Sequence, residues 1–348
     1  MDRDNLIPYK KINWKIICHS RASMNKLKWW YNEVSKEYWL FVLSEESNKI
    51  FILNALSGKY IKSLGTHGDR VGQFDVPKDI SIYDNFLFVL EKDNHRVQIF
   101  SLPDLNFIGL LGEMELTQPS CIETIKLQKD NKNYCCVYVG DNLDNKPSRN
   151  KIYFKFIFEM NDTEIFDQEV LKYEPKEKFQ LGYIESIKYD GITDNLFIVD
   201  KMHKNIKIFN FNDESKNIIL KDFFKGNPGE INIIKNHILI GDYSRLDNFF
   251  HIFSRNLNYN LSYISEKTLK NECFTIIDHF NNLILYTADE DDQVLAHRIY
   301  DLIKNNYNEN KIKKKVKVTK KHTNSFFDMG ITALLGTAVA TSAYYLKK

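Results

Sequence analysis

The sequence predicts an all-β fold, a six-bladed β-propeller followed by a hydrophobic C-terminal helix, and three observations carry that expectation. The composition favours strands: 24 Phe and 19 Tyr stand against 14 Gly and seven Pro, and aromatic side chains pack well on a pleated surface. A unit of apolar strand, polar turn and alternating strand, followed by a weaker third strand, recurs six times. Near the C-terminus, the 18 residues Met329 to Leu346 form an uncharged apolar run unlike anything before them.

The repeat is clearest in its first two copies. YWLFVLSEESNKIFILNALSGKYIKSLG, from Tyr38, parallels NFLFVLEKDNHRVQIFSLPDLNFIGLLG, from Asn85, at a constant offset of 47 residues. Looser copies begin at Cys135, Asn195, His237 and Asn282. Several short strands per unit of about 40 to 50 residues is the pattern of propeller blades, whose closed ring removes the sheet edges.

In chain order, residues 1–28 form an N-terminal segment in which Ile12 to Cys18 is the candidate strand that closes the ring. Residues 29–305 are the propeller. Within it, THGDRVGQF, Thr66 to Phe74, is a glycine-containing connection crossing from the first blade to the second. The stretch Asp93-Asn94-His95-Arg96 is the turn of the second blade's hairpin, and His95 and His297 are turn or packing histidines. Residues 306–325 are a basic linker with seven Lys between Lys311 and His322. Residues 326–348 are a tail-anchor helix, in which Met329 to Leu346 carries no charge over 18 residues, enough to cross a hydrocarbon core of about 30 Å. The polylysine run would lie against anionic lipid. No aromatic residue interleaves with it, so no nucleic-acid partner is expected.

The net charge of +2 hides an asymmetry, since residues 1–310 hold 39 basic against 45 acidic groups. The five cysteines lack metal-ligand spacing and mostly sit in apolar runs, as buried thiols of a reducing compartment do. The start, MDRDNLIPYKK, has no apolar signal-peptide region, which together with the tail anchor places the propeller in the cytosol. Phosphate loops, CxxC, HExxH and GxSxG motifs are missing from the sequence.

GxxxGxFxxPxxI, Gly68 to Ile80, with the NHRVQIF run after it, resembles an NHL-type repeat. From Trp39 to Asp301 the chain is similar to the β-propeller phytase-like family, on DNHRVQIFSLPDL, YIESIKYDGITDNLFIVDK, NPGEINI and LYTADEDDQVLAHRIYD. That resemblance implies six blades and calcium ions held by carboxylates at one mouth of the central channel, where they activate water against an inositol phosphate. By position Glu185 and Glu230 fall where the family has calcium-binding glutamates and Asp79 where it has an acidic residue, while Asp200 and Asp289 sit at matching turns, so all five are calcium candidates; Lys92 and Arg96 are the candidate cations to face the phosphate. Two motifs depart from the family. Its TDGI segment is Cys273-Phe274-Thr275-Ile276 here, and its YGF segment is Ser120-Cys121-Ile122. The function expected is therefore that of a membrane-tethered binding or scaffold module for a protein or phosphorylated ligand, with a calcium-dependent phytase-like phosphatase as the alternative.

Overall fold

The structure is a computed structural model that describes residues 8–13, 24–129, 132–142, 151–160, 165–172, 181–210, 217–221, 224, 226–243, 248–255, 257, 259–265, 274–279, 282–288 and 293–298. The expected linker and tail anchor, with Met329 and Leu346, lie outside these residues, as does Asp289. Among the described residues, no helix is long and apolar enough to cross a membrane.

The described chain is all β-strand, in six four-stranded antiparallel sheets. After β1 (Pro8–Asn13), the first sheet is β2 (Met24–Asn32), β3 (Glu37–Ser44), β4 (Lys49–Asn54) and β5 (Tyr60–Leu64). The second is β6 (Pro77–Tyr83), β7 (Phe86–Glu91), β8 (Arg96–Ser101) and β9 (Phe107–Leu111). The third is β10 (Pro119–Lys129), β11 (Lys132–Asp141), β12 (Lys151–Met160) and β13 (Ile165–Lys172). The fourth is β14 (Ile184–Asp190), β15 (Asn195–Asp200), β16 (Asn205–Asn210) and β17 (Ile218–Leu220). The fifth is β18 (Asn227–Ile234), β19 (His237–Tyr243), β20 (Asn248–Ser254) and β21 (Tyr259–Ser265). The sixth takes β22 (Phe274–His279), β23 (Asn282–Ala288) and β24 (Gln293–Arg298), and is completed by β1.

The arrangement is that of a propeller. The first strands of successive sheets pack on one another, β2 on β6, β6 on β10, β10 on β14, β14 on β18 and β18 on β22, and β22 returns to β2. Apolar layers fill the spaces between sheets. Trp30, Trp39, Phe41 and Ile50 of the first sheet meet Ile80, Leu87 and Val89 of the second. Leu27, Leu40 and Val42 meet Ile277, Ile284 and Tyr286 of the sixth. Each such side chain, fully buried, contributes roughly 1.5–3 kcal/mol. Because a sheet in the middle of such a stack is covered on both sides, its second strand reads as an unbroken apolar run: Phe86 to Leu90 is apolar and buried at every position. Side-chain bonds also cross between sheets. The Trp30 indole donates to the Asp84 carbonyl at 2.9 Å, and the Tyr286 hydroxyl donates to the Ala55 carbonyl at 2.9 Å.

Two expectations are refined. The repeat read from the sequence begins at the second strand of each sheet, and the first strand before it was not recognised. These first strands line the channel and carry charged residues inside otherwise apolar runs, as in MNKLKWWYN, which breaks the simple alternation. Ring closure does come from the N-terminus, but through Pro8 to Asn13 rather than Ile12 to Cys18: Pro8 pairs with His297 and Asn13 with Gln293, while residues 14–18 lie outside the described chain. β1 occupies the outer edge of the sixth sheet.

Candidate functional site

The six first strands begin at the same end of the ring, here the leading face, and end at the trailing face. Five of them share a register irregularity just after their start, between Met24 and Lys26, Pro77 and Asp79, Pro119 and Cys121, Ile184 and Ser186, and Pro228 and Ile231. A β-bulge bends a strand and re-aims the side chains beside it. It recurs here at one level of the channel, where Lys26, Asp79, Glu185 and Glu230 sit.

These residues form a buried charge cluster across the channel. The Lys26 ammonium stands 2.6 Å from Glu230 Oε2 and 4.0 Å from Asp79 Oδ2, and Lys28 Nζ stands 2.9 Å from Glu230 Oε1. The first and fifth sheets are not neighbours in the ring, so the two lysines reach across it. Asp79 is anchored by backbone as well, Oδ1 accepting from the Ile80 N–H at 2.8 Å and Oδ2 from the Ile122 N–H at 3.0 Å. Glu185 adds its field to Lys26 and pairs with Lys201 at 3.3 Å. One layer further in, Glu123 grips Lys188 through both oxygens, at 2.8 and 2.9 Å, and its charge acts on Lys28.

Burial penalises every charge in this cluster, and the partners decide the balance. For Glu230, burial would raise the carboxyl, yet Lys26 and Lys28 outweigh it and hold it at about 2, against an ordinary 4.5. For Lys26, burial is likewise the largest influence and would lower the ammonium, but Asp79, Glu230 and Glu185 together drive it well above its ordinary value. Asp79 goes the other way: burial raises it and prevails over Lys26 and Lys28, with Glu230 adding to the rise.

This geometry does not fit calcium. The ion takes about six to eight oxygen ligands, whereas each Glu230 oxygen here faces an ammonium and both Asp79 oxygens accept backbone N–H groups. Among the described residues, no group of three or more His, Cys, Asp or Glu is placed to hold a metal ion. Asp79, Glu185 and Glu230 do converge, and the residues that sequence reasoning missed are Lys26 and Lys28. Two lysines two residues apart in one strand share a face, and that spacing inside MNKLKWWYN was the available signal.

Asp200 stands apart from the cluster. Its carboxylate accepts from the Gly182 N–H at 2.7 Å and the His203 N–H at 3.1 Å, meets His203 Nδ1 at 2.8 Å, and pairs with Lys207. The same role recurs at the end of the second strand in neighbouring sheets. Glu91 accepts from the Asp75 N–H, Asp141 from the Thr117 and Gln118 N–H groups, and Asp242 from the Gly226 N–H. Each acid is buried and ties down the connection that leads into its own sheet's first strand. Burial would raise the Asp200 carboxyl, but Lys207, Gly182 and His203 bring it below its ordinary value.

Arg96 belongs to this buttress system. Its Nε donates to Glu91 Oε1 at 2.7 Å, and its guanidinium also donates to the Arg70 carbonyl, so it is buried inside the second sheet rather than facing the channel. Lys92 is half-buried in the β7–β8 turn, its N–H donating to the Val76 carbonyl at 3.0 Å. His95 closes that turn at φ 53°, as Asn48 and Lys204 close the corresponding turns of the first and fourth sheets at 50° and 47°. Cys121, Cys135 and Cys136 are buried free thiols.

Neither a family model nor a curated protein matches the chain. What resembles it is a solved fold. A crystal structure of a nidogen/laminin complex superposes with a TM-score of 0.50 over 71% of this chain and 82% of that one, at 12% identity. The likeness is one of fold, a β-propeller, and the resemblance to phytase-like propellers stands on the sequence motifs alone.

Large apolar side chains are exposed on the leading face around the charge cluster. Val71 is 53% exposed, Met114 94%, Tyr183 41% and Met202 56%. Val71 lies in the connection into β6, Met114 in the connection into β10, Tyr183 just before β14, and Met202 in the β15–β16 turn, so they follow one another around three neighbouring sheets.

Proposed function

We propose that the chain is a non-catalytic protein-binding module, a six-bladed propeller that docks a protein partner on its leading face. The observation that carries this reading is the series Val71, Met114, Tyr183 and Met202, large apolar side chains exposed on successive loops of one face. Grouped exposed apolar residues mark interaction sites, and Tyr and Met are enriched in them. The channel beneath supports the same reading, because its carboxylates are matched by Lys26 and Lys28 and leave little capacity for a metal-activated water. A tether through residues 329–346 remains part of the proposal on the strength of their uncharged composition.

The test compares the full-length protein with a Met114→Asp, Tyr183→Ala variant. Both side chains are exposed, so the variant is expected to keep the wild-type melting temperature while losing most of the partner captured by the intact protein. Undiminished capture would sink the docking face. In parallel, inositol hexakisphosphate is expected to release no phosphate in the presence of calcium, and calcium-dependent release would favour the hydrolase instead.

A further inference from the structure

The trailing face, opposite the surface just proposed, carries a second feature that the docking reading does not use. Where the first sheet meets the sixth, Trp29, Tyr31 and Tyr38 form a half-buried aromatic run, with ring centroids 5.7 Å apart for Trp29 and Tyr38 and 4.9 Å apart for Tyr31 and Tyr38. β2 packs directly on β22, and from that strand Asp278 brings a carboxylate to the aromatic edge: burial, Tyr31 and Asp278, in that order, push the Tyr38 hydroxyl up. Asp278 Oδ2 pairs with Lys235 at 3.1 Å, but its buried Oδ1 has no hydrogen-bond partner. On the rim, the β2–β3 turn presents Glu33, whose contact with Lys36 is fully solvated, and Val34, 85% exposed.

Aromatic faces beside carboxylates are a receptor for cationic side chains, since a lysine ammonium gains from both the ring quadrupole and the charge. An apolar tip such as Val34 asks in addition for an aliphatic neighbour. The chain itself contains a segment of that chemistry. KIKKKVKVTKKH, Lys311 to His322, sets seven lysines among Ile312, Val316 and Val318, while residues 1–310 carry the excess of acid.

Its point of departure also fits. β24 ends with Arg298 opposite Ile284, at the trailing face of the sixth sheet. The 12 residues between Arg298 and Lys311 span up to about 40 Å when extended, whereas a four-stranded sheet is only about 15 Å across. We infer that the lysine-rich segment 311–322 docks in cis onto the aromatic-acidic surface where the first and sixth sheets meet. This site is separate from the leading face, and it holds or fails independently of the function proposed above.

Zero-length carbodiimide coupling of the full-length protein tests it directly, because that reagent joins lysines only to carboxylates in contact with them. Couplings from residues 311–321 to Glu33 or Asp278 are expected, formed within one chain in a mixture of isotopically light and heavy protein. Couplings confined to other acids, or formed only between copies, would overturn the inference.

A second measurement uses a fluorescent peptide of sequence KIKKKVKVTKKH and a full-length variant in which the seven lysines of 311–321 are Gln. The variant is expected to bind the peptide about tenfold more tightly than the wild type, whose surface is already covered by a tethered competitor. Binding should weaken with salt and fall further in the near-isosteric Asp278→Asn. Equal binding to wild type and variant, or binding indifferent to Asp278→Asn, would refute docking in cis.

Discussion

Replacing Lys26 by Met keeps the length of the side chain and removes its charge from the channel. Glu230 then retains only Lys28, at 2.9 Å, and Asp79 loses its nearest ammonium. The magnitude follows from two directions. Removing one member of a buried ion pair costs about 3–5 kcal/mol, because the other charge is left uncompensated. Independently, the displacement of Glu230 from 4.5 to about 2 corresponds to about 3 kcal/mol of preference for its charged form in the folded state.

A loss of about 3 kcal/mol in a domain of this size lowers the melting temperature by roughly 5 °C. The sign with pH follows from the depressed value. Glu230 contributes stability that is present above 4.5, its unfolded value, and is lost as pH falls towards 2. Without Lys26 that carboxyl moves back up towards its ordinary 4.5, so the penalty of the substitution is largest near neutrality and shrinks as the released Glu230 takes up a proton in acid. Thermal melts of wild type and variant followed by circular dichroism between pH 3 and pH 8 measure both effects. A variant melting within about 2 °C of wild type at pH 7, or an equal penalty at pH 3 and pH 7, would show that the cluster does not hold the ring. Adding Glu230→Gln to Lys26→Met should restore part of the loss, since the stranded charge is gone.

Two further outcomes are expected. In Gly182→Ala the new methyl would lie 2.5 Å from Asp200 Oδ1 and 2.6 Å from Met202 Cβ, so the buttress of the fourth sheet must shift. A cost of about 1–3 kcal/mol, with faster amide exchange at Gly182 and Lys207, is the expected result, and unchanged exchange would refute the buttress role. Deleting residues 1–13 removes β1 and leaves β24 as an open edge. Size-exclusion chromatography is expected to show association of the shortened chain at concentrations where the full chain does not associate, and identical elution would argue against closure by β1.

The parts of the fold that sequence made legible are those governed by apolar patterning. LFVLEK and FVLSEE announce second strands because stacked sheets bury both of their sides. The first strands were hidden because a channel wall mixes charge with apolar residues, and which charge faces which is a matter of ring geometry. The acids Asp79, Glu185 and Glu230 were found and brought to one level, yet their partners in β2 lie about 50 to 200 residues away in sequence and belong to no motif. Asp200 is ambiguous in sequence for a different reason. An acid at the end of a strand looks the same in sequence whether it binds an ion or caps the N–H of a loop such as that of Gly182.

The pairing of Pro8 with His297 has a consequence for how the protein is made. β1 must wait for β24, at the far end of the described residues, before it finds its place, so five sheets are able to assemble while the sixth stays unfinished. Contacts so distant along the chain are slow to form. Until β24 emerges β1 therefore stays unpaired, and that interval is when a chaperone, or a neighbouring nascent chain, has its opportunity to bind it.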